Sequence, residues 1–138
     1  MSIVQGQTTS FKYELYLGIH NLQTDVLKIA LYTANADLNQ NTTVYSSTNE
    51  ISGTGYSLGG KVLTGATVSY SGTTAYVDFD NVIWTPASFT TRCALIYNSS
   101  KADRSVAVLD FGSDKTTTTQ FIITMPTNSA TNALIRMD

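Results

Sequence analysis

Charge is what this sequence has least of. Only 13% of its residues are Asp, Glu, Lys or Arg, about half the usual share for a soluble domain. Two of them, Glu14 and Glu50, are the only glutamates. The basic residues Lys12, Lys28, Lys61, Arg92, Lys101, Arg104, Lys115 and Arg136 stand singly and form no stripe. Phosphate backbones need clustered Lys and Arg, so a net charge of −2 and a pI of 5.1 exclude nucleic acid as the main partner. Histidine occurs once, at His20, and cysteine once, at Cys93. A single thiol excludes an intramolecular disulfide. One imidazole and one thiol, far apart in sequence, supply neither a zinc ligand set nor a catalytic triad. Cys93 lies in the apolar run Cys93-Ala94-Leu95-Ile96-Tyr97 and reads as a buried small hydrophobe. No apolar run approaches the roughly 20 residues that cross a bilayer. The first ten residues, Met1 to Ser10, are polar and lack the apolar segment of a secretory signal. The expectation is a soluble protein, made in the cytoplasm, with no membrane partner.

What replaces the charges is hydroxyl and amide. The chain has 22 Thr, 14 Ser and 9 Asn, and 42% of its residues are hydrophobic. That apolar share suffices for one core, and 138 residues fit one domain. No linker or internal repeat divides it, so the expected organisation is a single domain over 1–138 with a short N-terminal segment, 1–25. Thr and Tyr pack well on pleated surfaces, whereas the Glu, Lys and Ala favoured on exposed helix faces are scarce.

Along the chain, strands alternate with turns. Phe11, Leu15, Ile19 and Leu22 recur at helical spacing, while Phe11, Tyr13, Leu15, Leu17 and Ile19 also alternate. Ser10 as N-cap and Gly18 as breaker favour a short helix there. Leu27, Ile29 and Leu31 then alternate with Lys28, Ala30 and Tyr32, before a polar stretch at Asn35 to Thr43. Residues 49–60 hold four glycines and read as a long loop. Val62, Thr64, Ala66, Val68 and Tyr70 line one face of a strand, and Ala75, Val77 and Phe79 line the next. Between them Ser71-Gly72 signals a tight hairpin, because Gly supplies the positive φ such turns demand. Thr85-Pro86 breaks the ladder after Trp84. Strands at Arg92–Tyr97, Val106–Phe111 and Gln120–Met125 and a last short one at Ala133–Met137 complete seven or eight. Even spacing of that kind predicts an all-β fold, a two-sheet β-sandwich of jelly-roll or immunoglobulin-like form.

Each candidate motif has a plainer reading that outweighs it. Gly55-Tyr-Ser-Leu-Gly-Gly60-Lys61 has phosphate-loop spacing. Val62 stands where a magnesium-binding Ser or Thr belongs, and a strand follows rather than a helix. A flexible loop is expected. Asp78, Asp80 and Asn81 form an acidic cluster, but calcium wants six or more convergent oxygens. Asp78 and Asp80 are expected to face solvent together. Neither Glu14 nor Glu50 sits in a recognisable hydrolase context. The sequons Asn41-Thr42-Thr43 and Asn98-Ser99-Ser100 are expected by chance in so Asn-, Ser- and Thr-rich a chain. Tyr32 and Tyr76 fall on polar strand faces, where an exposed ring stacks on sugars or anchors an interface, and where Tyr also commonly covers half-buried sheet. The reading is of a protein that holds or binds something and is not an enzyme, with no catalytic, cofactor-binding or metal-ligating residue singled out and no cofactor.

Several stretches carry a resemblance. They are Phe11-Lys-Tyr-Glu-Leu-Tyr-Leu-Gly-Ile-His20, Leu27-Lys-Ile-Ala-Leu-Tyr-Thr33, Asn49-Glu-Ile-Ser-Gly-Thr-Gly-Tyr56 with Gly59-Gly-Lys61, Ala75 to Trp84, Ala94-Leu-Ile-Tyr-Asn98 and Ala107-Val-Leu-Asp-Phe-Gly112. Together, from about residue 10 to the end, they resemble small virion-associated structural proteins of tailed bacteriophages. The resemblance rests on turn-and-strand patterns and carries over no catalytic residues. It implies a place on the phage particle as a capsid decoration protein, bound to the major capsid protein of the head as a homo-oligomer, a trimer being favoured. The alternative it leaves is a tail-associated adhesin or carbohydrate-binding module for host surface polysaccharide.

Overall fold

The computed structural model describes residues 2–137. The N-terminal elements are β1 (Ser2–Ile3), β2 (Gly6–Gln7) and helix α1 (Thr9–Tyr16). There follow β3 (Leu27–Tyr32), β4 (Asp37–Leu38), β5 (Lys61–Val62), β6 (Thr67–Ser71), β7 (Thr74–Asp78) and β8 (Val82–Trp84). The C-terminal part holds β9 (Phe89–Asn98), a 3-10 turn at Ser99–Lys101, β10 (Arg104–Thr117), β11 (Phe121–Ile123) and β12 (Ile135–Met137). The protein is therefore mostly β, built of several antiparallel sheets with one short α-helix. β1 and β4 pair in parallel.

The central sheet has the order β2-β10-β9-β3-β5. β3 was expected to bury one face, and it buries both. Leu27, Ile29 and Leu31 enter one apolar cluster, Ala30 and Tyr32 another on the opposite face, and Lys28 alone stays half-exposed. β9 divides in the same way, with Ala94 and Ile96 on one side and Cys93, Leu95 and Tyr97 on the other. The larger core gathers these residues with Phe11, Leu22, Val77, Trp84, Phe89 and Ile135. Phe89 and Phe121 meet Trp84 at centroid distances of 6.5 and 5.9 Å. Trp84 is fully buried, and truncating it to Ala would cost about 3–5 kcal/mol. The smaller core lies under residues 33–50, which bring Ala36 and Leu38 onto the far face.

Several boundaries differ from expectation for identifiable reasons. The helix begins earlier than Ser10, because Thr8 is the N-cap and its hydroxyl accepts from Phe11 N–H (3.3 Å). Ser10 instead turns its hydroxyl to the Thr42 carbonyl (3.4 Å). The helix stops at Tyr16, short of residue 22. The strand expected over 62–70 is two strands in two sheets. β5 pairs with β3, whereas β6 pairs with β7. At the break, Gly65 has φ +67° and the Asp80 carboxyl lies 2.4 Å from where its Cβ would stand. The hairpin forms one residue on, with Ser71 paired to Thr74 around Gly72-Thr73.

β6 and β12 flank β7 in a three-stranded sheet. The outer edge of β6 is capped at its start by a side chain. Gln23 Nε2 donates to Ala66 O (3.1 Å), and Val68 N–H donates to Gln23 Oε1 (3.2 Å). One amide thus imitates a neighbouring strand.

Candidate functional site

The chemistry-bearing residues gather in two networks, both internally saturated. His20 Nε2 lies 2.9 Å from Glu14 Oε1, and Nδ1 lies 2.9 Å from Asn98 Nδ2. The Asn98 amide also donates to Asp25 Oδ2 (2.8 Å), and its carbonyl accepts from Ser100 N–H (3.0 Å). With the amide donating to Nδ1, the imidazole proton belongs on Nε2 and is donated to Glu14. Lys101 Nζ holds Asp25 at 2.9 Å, and Arg104 Nε lies 3.6 Å from Glu14. Desolvation opposes the Asp25 carboxylate, yet the N–H of Asn21, the Asn98 amide and Lys101 outweigh it and hold its pKa at about 2. Both ring nitrogens of His20 are thus engaged in hydrogen bonds. The network ties the turn after α1 to the 3-10 turn.

The second network centres on Glu50. Its Oε1 accepts from the Tyr45 hydroxyl (2.5 Å), and its Oε2 accepts from the Tyr56 hydroxyl and from Gly59 N–H (2.8 Å). Tyr56 OH in turn accepts from Leu31 N–H (2.9 Å), and Tyr97 OH donates to Gly59 O (2.6 Å). Tyr45 stacks on Tyr97 at 4.7 Å. Burial, then proximity to Glu50, raises the pKa of Tyr45 and Tyr56. The expected loop is present, and Tyr56, Gly59 and Gly60 anchor it against β3 ahead of β5. A Cβ on Gly60 would stand 1.8 Å from Ile29 O, so only Gly permits this approach.

Three further expectations need correction or placement. Asp78 and Asp80 do not face solvent together: Asp80 is exposed, but Asp78 is buried. Asp78 Oδ1 accepts from Phe79 N–H (2.9 Å), whereas Oδ2 has no hydrogen bond within normal geometry. Desolvation raises its pKa, partly offset by the N–H groups of Phe79 and Leu134. Tyr32 presents no ring to solvent, because it is buried with its hydroxyl on Ser46 O (2.7 Å); Tyr76 is half-buried. The exposed tyrosines are Tyr13, Tyr16 and Tyr70. Cys93 is buried as expected, and burial, then the charge of Asp110, pushes its thiol up to about 12. Among the described residues no cluster of three His, Cys, Asp or Glu could hold a metal ion, and no helix is long and apolar enough to cross a membrane.

The surface feature that sequence reading missed is an apolar groove of about 410 Å³ between α1 and the three-stranded sheet. Register explains it. Val68, Val77 and Ile135 stand in one cross-strand row, and Tyr70, Ala75 and Met137 in the next. Val77 and Ile135 reach the core, while Val68, Tyr70 and Met137 are exposed. Leu15 and Gly18 form the facing wall, and the adjoining Tyr16 and Leu17 are also exposed. Tyr16, next to the lining residue Leu15 in sequence, and Tyr70, paired with the lining residue Ala75, are 88% and 81% exposed. The lining has no Lys, Arg, Asp or Glu.

No family model, curated protein or solved structure matches the chain. The functional reading accordingly rests on the residues, their geometry and the resemblance of their pattern.

Proposed function

We propose that this is a phage virion structural protein, a capsid decoration protein that seats on the assembled head and reinforces it. The observation that carries the reading is the apolar groove whose lining has no Lys, Arg, Asp or Glu, with exposed Tyr16 and Tyr70 on the elements that form it. Contiguous exposed apolar surface framed by polar residues is characteristic of protein–protein contact, and Tyr is a favoured anchor. Saturation of the His20 and Glu50 networks supports a binding role over catalysis. The resemblance to small virion proteins supports the location. In this reading the central sheet and the smaller sheets across the larger core form a two-sheet β-sandwich. A homo-oligomer, favoured as a trimer, bridges neighbouring subunits of the major capsid protein. Weak single contacts then suffice, because an oligomer engaging several subunits gains effective concentration.

The test mixes purified protein with shells lacking it, at low and high salt, and counts bound copies. Saturable binding to expanded shells is expected at both salts, since the groove has no charged lining to screen. Tyr70→Ser should abolish it without loss of fold. Absence of shell binding, together with saturable binding to host polysaccharide, would instead favour a tail-associated adhesin.

A further inference from the structure

A second cavity lies on the other side of the molecule. It is an open depression of about 400 Å³ between residues 36–44 and 46–49, over a floor of Tyr32, Ala36 and Leu38. Those floor residues belong to the smaller core, whereas the apolar groove opens from the larger one. The two sites therefore sit on opposite faces of the central sheet. Their linings differ as sharply. Walls of the second cavity come from Asp37, Asn39, Asn41, Thr42, Thr48 and Asn49, with no Lys or Arg.

Its shape is held by its own polar groups. Asn39 N–H donates to Thr42 Oγ1 (3.0 Å), Asn39 Nδ2 donates to Asp37 Oδ1 (3.2 Å), and Asn41 N–H donates to Asn39 Oδ1 (2.9 Å). Asn49 Nδ2 is fixed on Asn35 O (3.1 Å). These bonds preorganise the walls yet leave Asp37 Oδ2, Asn49 Oδ1 and the whole Asn41 side-chain amide uncommitted. The free set is two acceptors, one of them anionic, and one amide that both donates and accepts.

We infer that this cavity binds a neutral sugar unit. Lack of any cationic lining, beside the Asp37 carboxylate, argues against phosphate, sulfate and nucleic acid as ligands. One carboxylate is too few for a hard cation that wants six or more oxygens. Sugar hydroxyls are both donors and acceptors, and they match a carboxylate beside amides at a volume suited to a small ligand. The inference is independent of shell seating, since the sites share no residue. A decoration protein seated by its groove would turn this cavity outward.

The experiment titrates ¹⁵N-labelled protein separately with glucose, galactose, mannose, rhamnose and N-acetylglucosamine to tens of millimolar. Inorganic phosphate and calcium chloride serve as controls. At least one sugar should shift amides of residues 36–49 saturably, while both controls leave them in place. Asp37→Asn and Asn41→Ala should each weaken that binding about ten-fold, as expected for losing one good hydrogen bond. The thermal midpoint of Asn41→Ala should hold, because the Asn41 side chain has no structural partner. Tyr70→Ser should leave the titration unchanged. No shift with any of the sugars, shifts mapping elsewhere, variants that bind as the parent does, or controls that shift the same amides would overturn the inference.

Discussion

Removing one oxygen from Tyr56 should destabilise the protein far more than the same change at Tyr45. Both hydroxyls donate to Glu50, but only Tyr56 OH also accepts from the Leu31 N–H. Leu31 is fully buried in β3. Tyr56→Phe therefore removes a charge-assisted bond and leaves a buried backbone donor without an acceptor. An orphaned buried donor costs about 1–3 kcal/mol, and the lost bond to a carboxylate adds about 1 kcal/mol after solvent partly replaces it. The total is about 2–4 kcal/mol. Tyr45→Phe orphans no backbone group and keeps the stack on Tyr97, so about 1 kcal/mol is expected. Urea unfolding at neutral pH reads both. With a slope of about 2 kcal/mol per molar, Tyr56→Phe should move the midpoint down by about 1–2 M and Tyr45→Phe by about 0.5 M. Combining Tyr56→Phe with Glu50→Gln should fall short of the summed single effects by at least about 0.5 kcal/mol. Equal midpoint shifts for the two tyrosines, or strict additivity with Glu50→Gln, would refute the argument that Glu50 and β3 are coupled through one hydroxyl.

The Asp25 site predicts an acid limb. A carboxylate held at about 2 against an ordinary 3.8 contributes stability that is full above about pH 4 and is lost as pH falls toward 2. At about 1.4 kcal/mol per unit the contribution is about 2 kcal/mol at most, less with solvent screening. Unfolding free energies of the parent and Asp25→Asn should therefore differ at pH 6 and converge near pH 2; a gap that widens on acidification would contradict the sign. Cys93 should resist thiol reagents. With its thiol pushed up to about 12 and fully buried, disulfide exchange with a chromogenic reagent at pH 8 should be at least about a thousand-fold slower than in urea; a fast stoichiometric reaction in the folded state would refute this.

Much of the strand content was legible because local patterns encode it. The hairpin at 67–78 announces itself through alternation on both arms and a Gly at the turn. Cys93 to Tyr97 reads as buried because every residue in the run is apolar or aromatic. Two-sided burial of β3 was hidden, since Lys28 among Leu27, Ile29 and Leu31 imitates an amphipathic strand. The covering residues, Ala36 and Leu38, come from a stretch that looks only polar. Asp78 misled for a related reason. Strand parity correctly places it opposite Val77, but parity does not reveal that the outer face is closed near Leu134. The His20 network joins His20 to Asn98, 78 positions away, beyond the reach of any local window. The apolar groove depends on cross-strand register among β6, β7 and β12, which no single segment carries. The cavity over Tyr32 was invisible for the opposite reason: Asn, Asp and Thr at 37–49 have the composition of an ordinary connecting loop.

The Gln23 amide on the rim of β6 has a consequence for molecules held close together. An open strand edge is a template on which a second copy can lay its own edge, and the hazard grows with local concentration. Here the Ala66 carbonyl and the Val68 N–H are already occupied by one side chain from the same molecule. Being intramolecular, that occupancy does not weaken or strengthen with crowding, whereas edge-to-edge pairing would have to displace it. A single glutamine thus obstructs this stretch of the edge, so that a second copy could extend the sheet there only by displacing it.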